Sequence, residues 1–225
     1  MTNELTPQEL IVWLSTLPTN KRTCLDCGAG HGEIASWLAS HYDKTYALDV
    51  VERPIPDARN LQFVLGDANE IPFKNNSFSL VVSMQSLHHF DVDKHLSSVH
   101  SVLELHGIFA SLCWGEIILP KVVSDAYQCV FEVIEPYWEP ERDWVTSGYA
   151  GLPFEGKKIE LPRTRHKKYV NLDQFEDIIA SWSSFKHAAE TGVDIPEPET
   201  EQAGLDDDYL FEVSWPVLGQ IFRKH

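Results

Sequence analysis

Apolar residues recur at helical spacing through residues 5–17, where Leu10, Trp13, Leu14 and Leu17 form one stripe, and this predicts a short amphipathic helix. A compact apolar run from Thr23 to Cys27 follows and stops at Gly28, the pattern of a buried strand. Ile34 to Ser40 returns to the helical period, and Thr45 to Asp49 is a second short strand that ends in an acid. Leu61 to Leu65 and Ser79 to Met84 read as strands, about Val92 to Leu103 as a helix, and Ile108 to Cys113 as a further strand. Strands alternating with helices predict an α/β fold with a doubly wound, parallel sheet, because right-handed crossovers carry helices to both faces. No internal repeat of fixed period is present, which excludes a solenoid.

After Trp114 the alternation stops. Residues 115–156 are rich in aromatics and proline, including Tyr127, Phe131, Tyr137, Trp138, Trp144, Tyr149 and Phe154, and read as a cap or insertion. Asn171 to Phe185 resumes a helix, with Leu172, Phe175, Ile178, Ile179 and Trp182 on one face. Residues 190–208 hold eight acids and no Lys or Arg, a composition expected to give a mobile, solvated loop. The aromatic and β-branched stretch Tyr209 to Phe222 predicts one long strand or two, with Pro216 at an edge or bulge. Strand six is open between Ile159–Val170 and part of that final stretch. The expected division is a helical segment over 1–21, a core over 22–115, a cap over 116–170, and a helix, acidic loop and final strands over 171–225 that complete the core.

Composition adds exclusions. Hydrophobic residues make up 43% of the 225 and charged residues 23%, ordinary globular usage. The net charge of −16 opposes a nucleic-acid partner, since phosphate contacts need clustered cations. Lys157, Lys158, Arg163, Arg165, Lys167 and Lys168 form a basic cluster, which reads as a charged edge strand or as a recruiter of an acidic substrate. Cys24 and Cys27 have CxxC spacing inside a predicted strand, with no second pair to complete a metal site, so a packing role and no metal are expected. No run approaches the roughly 18 apolar residues of a membrane span. With no signal stretch at the N-terminus, the expected location is cytoplasmic, without a membrane partner, as monomer or homodimer.

The chemistry lies at the strand ends, where open α/β sheets bind ligands. Leu25-Asp26-Cys27-Gly28-Ala29-Gly30-His31-Gly32 places three glycines where a strand turns sharply into a helix. Alone this is weak, because dinucleotide-binding domains use a related turn. Asp49, at the end of the second strand, can accept both hydroxyls of a ribose. Asp67 of Gly66-Asp67-Ala68, after the third, can accept from an exocyclic amine, and Gln85 to His89 follow the fourth. Together they outline a nucleoside pocket.

LDCGAGHG at 25–32, ALD at 47–49, GDANEIPF at 66–73 and NNSFSLVVS at 75–83 resemble class I S-adenosylmethionine (SAM)-dependent methyltransferases with a type 11 methyltransferase domain, over about residues 22–115. The resemblance implies a Rossmann-like, seven-stranded, mostly parallel sheet with helices on both faces and an aromatic-rich insertion after strand five. It implies SAM as cofactor, with Gly28, Ala29, Gly30 and Gly32 facing its methionine part, Asp49 its ribose, and Asp67 with Ala68 its adenine. Asp26, Val50 and Gln85 flank these positions and join the expected cofactor contacts. Leu105-His106-Gly107 stands where the family usually has Pro-Gly-Gly, and Ser79 where Asp is common; neither touches the expected pocket.

Gln85-Ser86-Leu87-His88-His89-Phe90, with WEP at 138–140 and DWVTSGYAGLPF at 143–154, is similar to the trans-aconitate-methyltransferase-like group, which implies a small-molecule acceptor, acidic or otherwise. Methyl transfer from SAM is an in-line displacement, so alignment carries much of the rate. A carboxylate acceptor needs no base; a hydroxyl or amine uses one, with His88 and then His89 as candidates. Trp114, Trp138 and Tyr149 are candidates for the acceptor pocket, or core aromatics. Two other classes remain: a SAM-binding or methyltransferase-like regulatory module without catalysis, and a nicotinamide-dependent oxidoreductase, which Glu33 disfavours by standing three residues after Gly30 where that fingerprint has glycine.

Overall fold

The computed structural model describes residues 4–206 and 208–225. Thr6 opens the first helix, α1 (Pro7–Ser15), through a reciprocal capping box with Glu9 and a proline at its first position. Then come β1 (Thr23–Cys27), α2 (Glu33–Ala39), β2 (Lys44–Asp49), β3 (Leu61–Leu65), β4 (Phe78–Met84), α3 (Val92–Val102) and β5 (Leu103–Trp114). The remaining elements are α4 (Lys121–Ala126), α5 (Gln128–Ile134), α6 (Arg142–Thr146), β6 (Lys157–Ile159), β7 (Arg165–Val170), α7 (Leu172–Ser181), α8 (Ser183–Thr191) and β8 (Phe211–Arg223).

The chain forms two compact units: Met1–Gly115 with Trp144–Arg165 and Pro216–His225, and Glu116–Asp143 with His166–Trp215. The segment 116–170, expected as one cap, is therefore divided between them, as is 171–225. In the first unit the strand order is β3-β2-β1-β4-β5-β8-β6. β1 to β5 pair in parallel, while β8 runs antiparallel to both β5 and β6. With β7, which pairs with β8, the sheet has eight strands rather than the seven expected. The reason is that the basic segment yields two short strands instead of one. Lys157 and Lys158 sit on the outermost, β6, as an aggregation-resistant edge would require.

Alternate residues of each strand face opposite sides of the sheet and build one core on each. On one side Cys24, Leu80, Val82, Ile108 and Ala110 pack with Leu10, Ile11 and Leu14 of α1 and Leu38 of α2. On the other, Leu25, Cys27, Val81 and Phe109 pack with Leu96 and Val99 of α3 and with Tyr149 and Phe154. Each such Leu or Phe contributes about 1.5–3 kcal/mol by leaving water. Cys24 and Cys27 are buried free thiols, as the packing reading expects. Among the described residues no helix is long and apolar enough to cross a membrane, and no three His, Cys, Asp or Glu residues gather as a metal site.

The second unit has its own core around Tyr127, Phe175, Ile179 and Phe211. Two expectations change there. The helix predicted from Asn171 to Phe185 breaks at Trp182, whose extended backbone separates α7 from α8 while its ring stacks on Phe131 at 5.9 Å. The surrounding Ser181, Ser183 and Ser184 favour a break, since serine competes with the helix for backbone hydrogen bonds. The acidic segment is docked rather than solvated: Leu205 is buried, Val193, Ile195 and Ala203 pack on the core, and Glu199 N donates to Ala126 O at 2.9 Å. Asp207, which belongs to that expected loop, lies outside the described residues.

Gly219 of β8 has φ +150°, and a Cβ there would collide with the Ser111 carbonyl oxygen and lie 2.9 Å from Leu112 Cα. Gly219→Val is expected to destabilise the protein by about 3 kcal/mol or more, from overpacking plus backbone strain. A urea midpoint indistinguishable from the parent would contradict that.

Candidate functional site

The strand order reverses between β1 and β4, and the carboxyl ends of strands at such a switch point form a crevice. The ends of β1 to β4 and the loops leaving them carry the residues expected to meet a cofactor, together with His88 and His89. Gly28, Gly30 and Gly32 all have positive φ, at 70°, 54° and 74°. Gly28 also has no room for a side chain: a Cβ would stand 2.5 Å from Ser86 Cβ and 3.1 Å from Phe90 Cζ. The β4 loop thus rests directly on the glycine turn, held by Ser86 Oγ donating to Cys27 O at 2.9 Å. At Gly30, by contrast, a Cβ would meet nothing within 4 Å, so that part of the turn faces open space.

Asp49 organises the turn from the neighbouring strand. It is 9% exposed; Gly30 N donates to Oδ2 and Val51 N to Oδ1, both at 2.9 Å, and Arg53 Nη1 lies 3.5 Å from Oδ1. Two fixed N–H donors hold the carboxylate in one orientation and leave lone pairs for a ligand. Val50 follows it and is 65% exposed.

Asp26 has a different place from the one expected. It is 1% exposed, and its Oδ2 accepts Ala35 N at 3.0 Å. Burial pushes its carboxyl up to about 7; the Ala35 N–H opposes this, and the charge of Asp49 adds to it. Asp26 therefore pins α2 to β1 from beneath the turn and supports the site without lining it.

The loop after β3 is tied to α3. Asp67 is exposed and makes a turn of its own, with Oδ1 accepting Asn69 N at 2.8 Å. Ala68 is buried, and its carbonyl oxygen lies 2.8 Å from His95 Nδ1. His95 is a functional candidate that sequence reasoning missed. Its signal was faint, a polar residue on the apolar stripe with Leu96, Val99 and Val102 in α3, all four of them buried.

At the end of β4, Gln85 adopts φ +54°, and its Oε1 accepts Trp114 N at 2.8 Å, joining the ends of β4 and β5. Leu87–His89 form a single 3₁₀ turn. His88 Nδ1 stands 3.1 Å from Tyr149 Oη, and the rings of His88 and His89 are 4.0 Å apart, with His89 exposed. Tyr149, expected against an acceptor, has no exposed surface, and its hydroxyl meets His88. Burial drives its phenol far above the ordinary tyrosine range, so it keeps its proton. Its backbone is in the left-handed region at φ +57°, next to Gly148 at +66°. A non-glycine residue there costs of order 1–3 kcal/mol, and such strain clusters at functional sites. Gln220 Nε2 donating to Gly148 O at 2.8 Å and an edge-on Trp144 ring at 4.9 Å hold the strained turn. Trp138 belongs to the second unit, packed on Trp182 with Arg142 over its ring at 4.6 Å.

The comparisons with known proteins fall on the same region. A family model described as a methyltransferase domain matches residues 25–111, from β1 through most of β5. An uncharacterized methyltransferase of Mycobacterium tuberculosis is 34% identical over 186 residues, covering 79% of this chain and 70% of that one. The human mitochondrial arginine-hydroxylase NDUFAF5 is 33% identical over 105 residues, 44% of this chain, and the chain spans only 30% of that protein's length. A solved structure from Anaeromyxobacter dehalogenans, proposed to be a type II methyltransferase, superposes over 100% of both chains with TM-score 0.84 at 24% identity, which bears on the fold alone. Because the mycobacterial match runs well past the glycine turn into the second half of the chain, the similarity is not that of a shared nucleotide-binding turn, and the chain belongs to the methyltransferase family.

Proposed function

We propose that this protein transfers the methyl group of S-adenosylmethionine to a small-molecule acceptor bearing a hydroxyl, amine or carboxylate. The observation that carries the reading is electrostatic. Asp49 lines the glycine turn and Asp26 lies beneath it, close enough that Asp49 raises the Asp26 carboxyl, and the cation at hand, Arg53, faces Asp49. An anionic pyrophosphate would meet the Asp49 carboxylate there, whereas a cationic sulfonium nucleoside is attracted. This favours SAM over a nicotinamide dinucleotide.

The residues fit the cofactor chemically. Asp49, its orientation set by two backbone N–H groups, can accept ribose hydroxyls, and the Gly28–Gly32 turn with its open Gly30 admits the methionine part. Val50 offers an apolar wall to the base, and Asp67 with Ala68 can read its amine edge. When bound, SAM supplies a methyl group activated by its sulfonium. What the chain adds is alignment, exclusion of water, and a place for the acceptor's proton.

His88 is the proposed proton acceptor, with His89 as neighbour. When Nδ1–H donates to the Tyr149 oxygen, Nε2 carries the lone pair and can take a proton from a hydroxyl or amine. The same contact stabilises the imidazolium that results, because the protonated phenol accepts without competing for charge. Tyr149 is thus a positioning residue, and Trp114, at the end of β5, is the aromatic proposed to line the acceptor side. The human relative named for arginine hydroxylation supports a second reading, oxidation rather than methylation by a related core.

Screening small acids, phenols and amines for S-adenosylhomocysteine release tests the reading. Methylation of at least one class is expected; uniform failure, or an oxidised product without S-adenosylhomocysteine, would reject it. Asp49→Asn should weaken S-adenosylhomocysteine binding about tenfold or more by calorimetry, the scale of a lost hydrogen bond to a charged group, with the melting temperature as control for folding. For a hydroxyl or amine acceptor, His88→Ala should lower kcat about 100-fold or more, and Tyr149→Phe about 3–10-fold, while cofactor affinity holds. Unchanged turnover in His88→Ala would remove it as the base.

A further inference from the structure

His95 lies between two walls of the cofactor crevice. It is 0% exposed, in the first half of α3, with Phe90 at 4.7 Å and Phe109 at 5.9 Å from its ring. Nδ1 is 2.8 Å from the Ala68 carbonyl oxygen, and Nε2 is 3.3 Å from Ser83 Oγ. A carbonyl only accepts, so Nδ1 carries the proton, and Nε2 of a neutral ring accepts from the serine hydroxyl. Burial pushes the imidazole down to about 4, against the Ala68 carbonyl and the charge of Asp67, so the ring is neutral at pH 7. A neutral histidine with one nitrogen committed to the loop after β3 and the other to β4 itself is a spacer of fixed geometry. Two further bonds clamp the same loop to the same part of the chain: Ile71 N donates to Ser98 Oγ at 2.8 Å, and Asp91 N to Asn69 Oδ1 at 3.0 Å.

We propose that His95 is the positioning residue of the base-recognition loop, fixing the Asp67–Ala68 backbone so that it distinguishes adenine from other purines. This rests on the cofactor reading above. Anchoring the Ala68 carbonyl fixes ψ at that residue and so sets how Asp67 and Ala68 face the crevice together. Ser83 couples this to the strand that leads into Gln85 and Ser86, giving both walls one reference point. A loop held only by its own Asp67 turn could swing its carboxylate away from the amine edge at little cost. With the imidazole in place, an analogue lacking the amine leaves a fixed acceptor unpaired, which is how a site built for one hydrogen-bonding pattern discriminates.

The test is calorimetric and needs no turnover. S-adenosylhomocysteine and S-inosylhomocysteine, in which a carbonyl replaces the exocyclic amine, are titrated into the full chain and into His95→Asn, His95→Leu and Ser83→Ala. The parent is expected to prefer the adenine ligand by about tenfold or more. His95→Asn, which retains an N–H aimed at Ala68, should keep most of that preference. His95→Leu should reduce it to about threefold or less, and Ser83→Ala should fall between. General destabilisation weakens both ligands alike and leaves the ratio unchanged, so the ratio separates positioning from folding. If His95→Leu does not fold, the order parent, His95→Asn, Ser83→Ala decides by itself. A parent-like ratio in His95→Leu or, failing that variant, in Ser83→Ala overturns the proposal. Absence of binding by the parent to either ligand would instead overturn the cofactor reading, and this proposal with it.

Discussion

Ser86 lies against Gly28 so closely that no side chain fits between them, and from that contact the crevice takes its shape. The loop leaving β4 can rest on the loop leaving β1 only because β1 and β4 are neighbours in the sheet and Gly28 holds a left-handed backbone without a Cβ. The Ser86 hydroxyl locks the contact onto Cys27 O. Everything else is referred to this junction: Asp49 steadies the turn from β2, Asp26 ties it to α2 from below, and the 3₁₀ turn that follows Ser86 carries His88. A wider residue at Gly28 would separate the loops and lose several of these relations at once.

The second organising feature is the pairing of a rigid frame with a locally strained one. β1 to β5 pair in parallel, with one register shift between β4 and β5 at Phe78/Leu80, and the sheet's two cores fill both faces. Of the non-glycine residues with positive φ, Asn76, Gln85, His106 and Tyr149, two meet His88, Gln85 in its loop and Tyr149 by hydrogen bond. Both are overdetermined by their surroundings, Gln85 by the Trp114 backbone and Tyr149 by Trp144 and, through Gly148, by Gln220. Strain that persists in this way fixes a side chain's direction more tightly than a relaxed turn would. For a reaction that depends on alignment, a fixed imidazole is the expected use of it.

Much of this was legible in the sequence, for identifiable reasons. β1 to β5 read as short, compact apolar runs and α1 to α3 as stretches of helical period, and the strand-end residues Gly28, Asp49 and Asp67 are unusual enough in combination to suggest a nucleoside. What escaped depended on tertiary partners. Trp182 breaks a periodic helix because its ring has Phe131 to stack on. Val193, Ile195 and Leu205 are isolated among acids, so their joint docking was invisible. Asp26 and Tyr149 have the right chemistry for a site but are spent beneath it, a distinction that burial alone reveals. His95 read as one more residue on a helix face until its nitrogens were seen to meet Ala68 and Ser83.

The central claim is that the Asp49 carboxylate beside the glycine turn selects a cationic nucleoside over an anionic dinucleotide. Parallel calorimetric titrations of the whole chain with S-adenosylmethionine and with NAD, at low and at raised salt, test it most directly. Saturable binding of S-adenosylmethionine that weakens as salt rises, with no binding of NAD under either condition, is the predicted result. NAD binding as tightly as S-adenosylmethionine would contradict it.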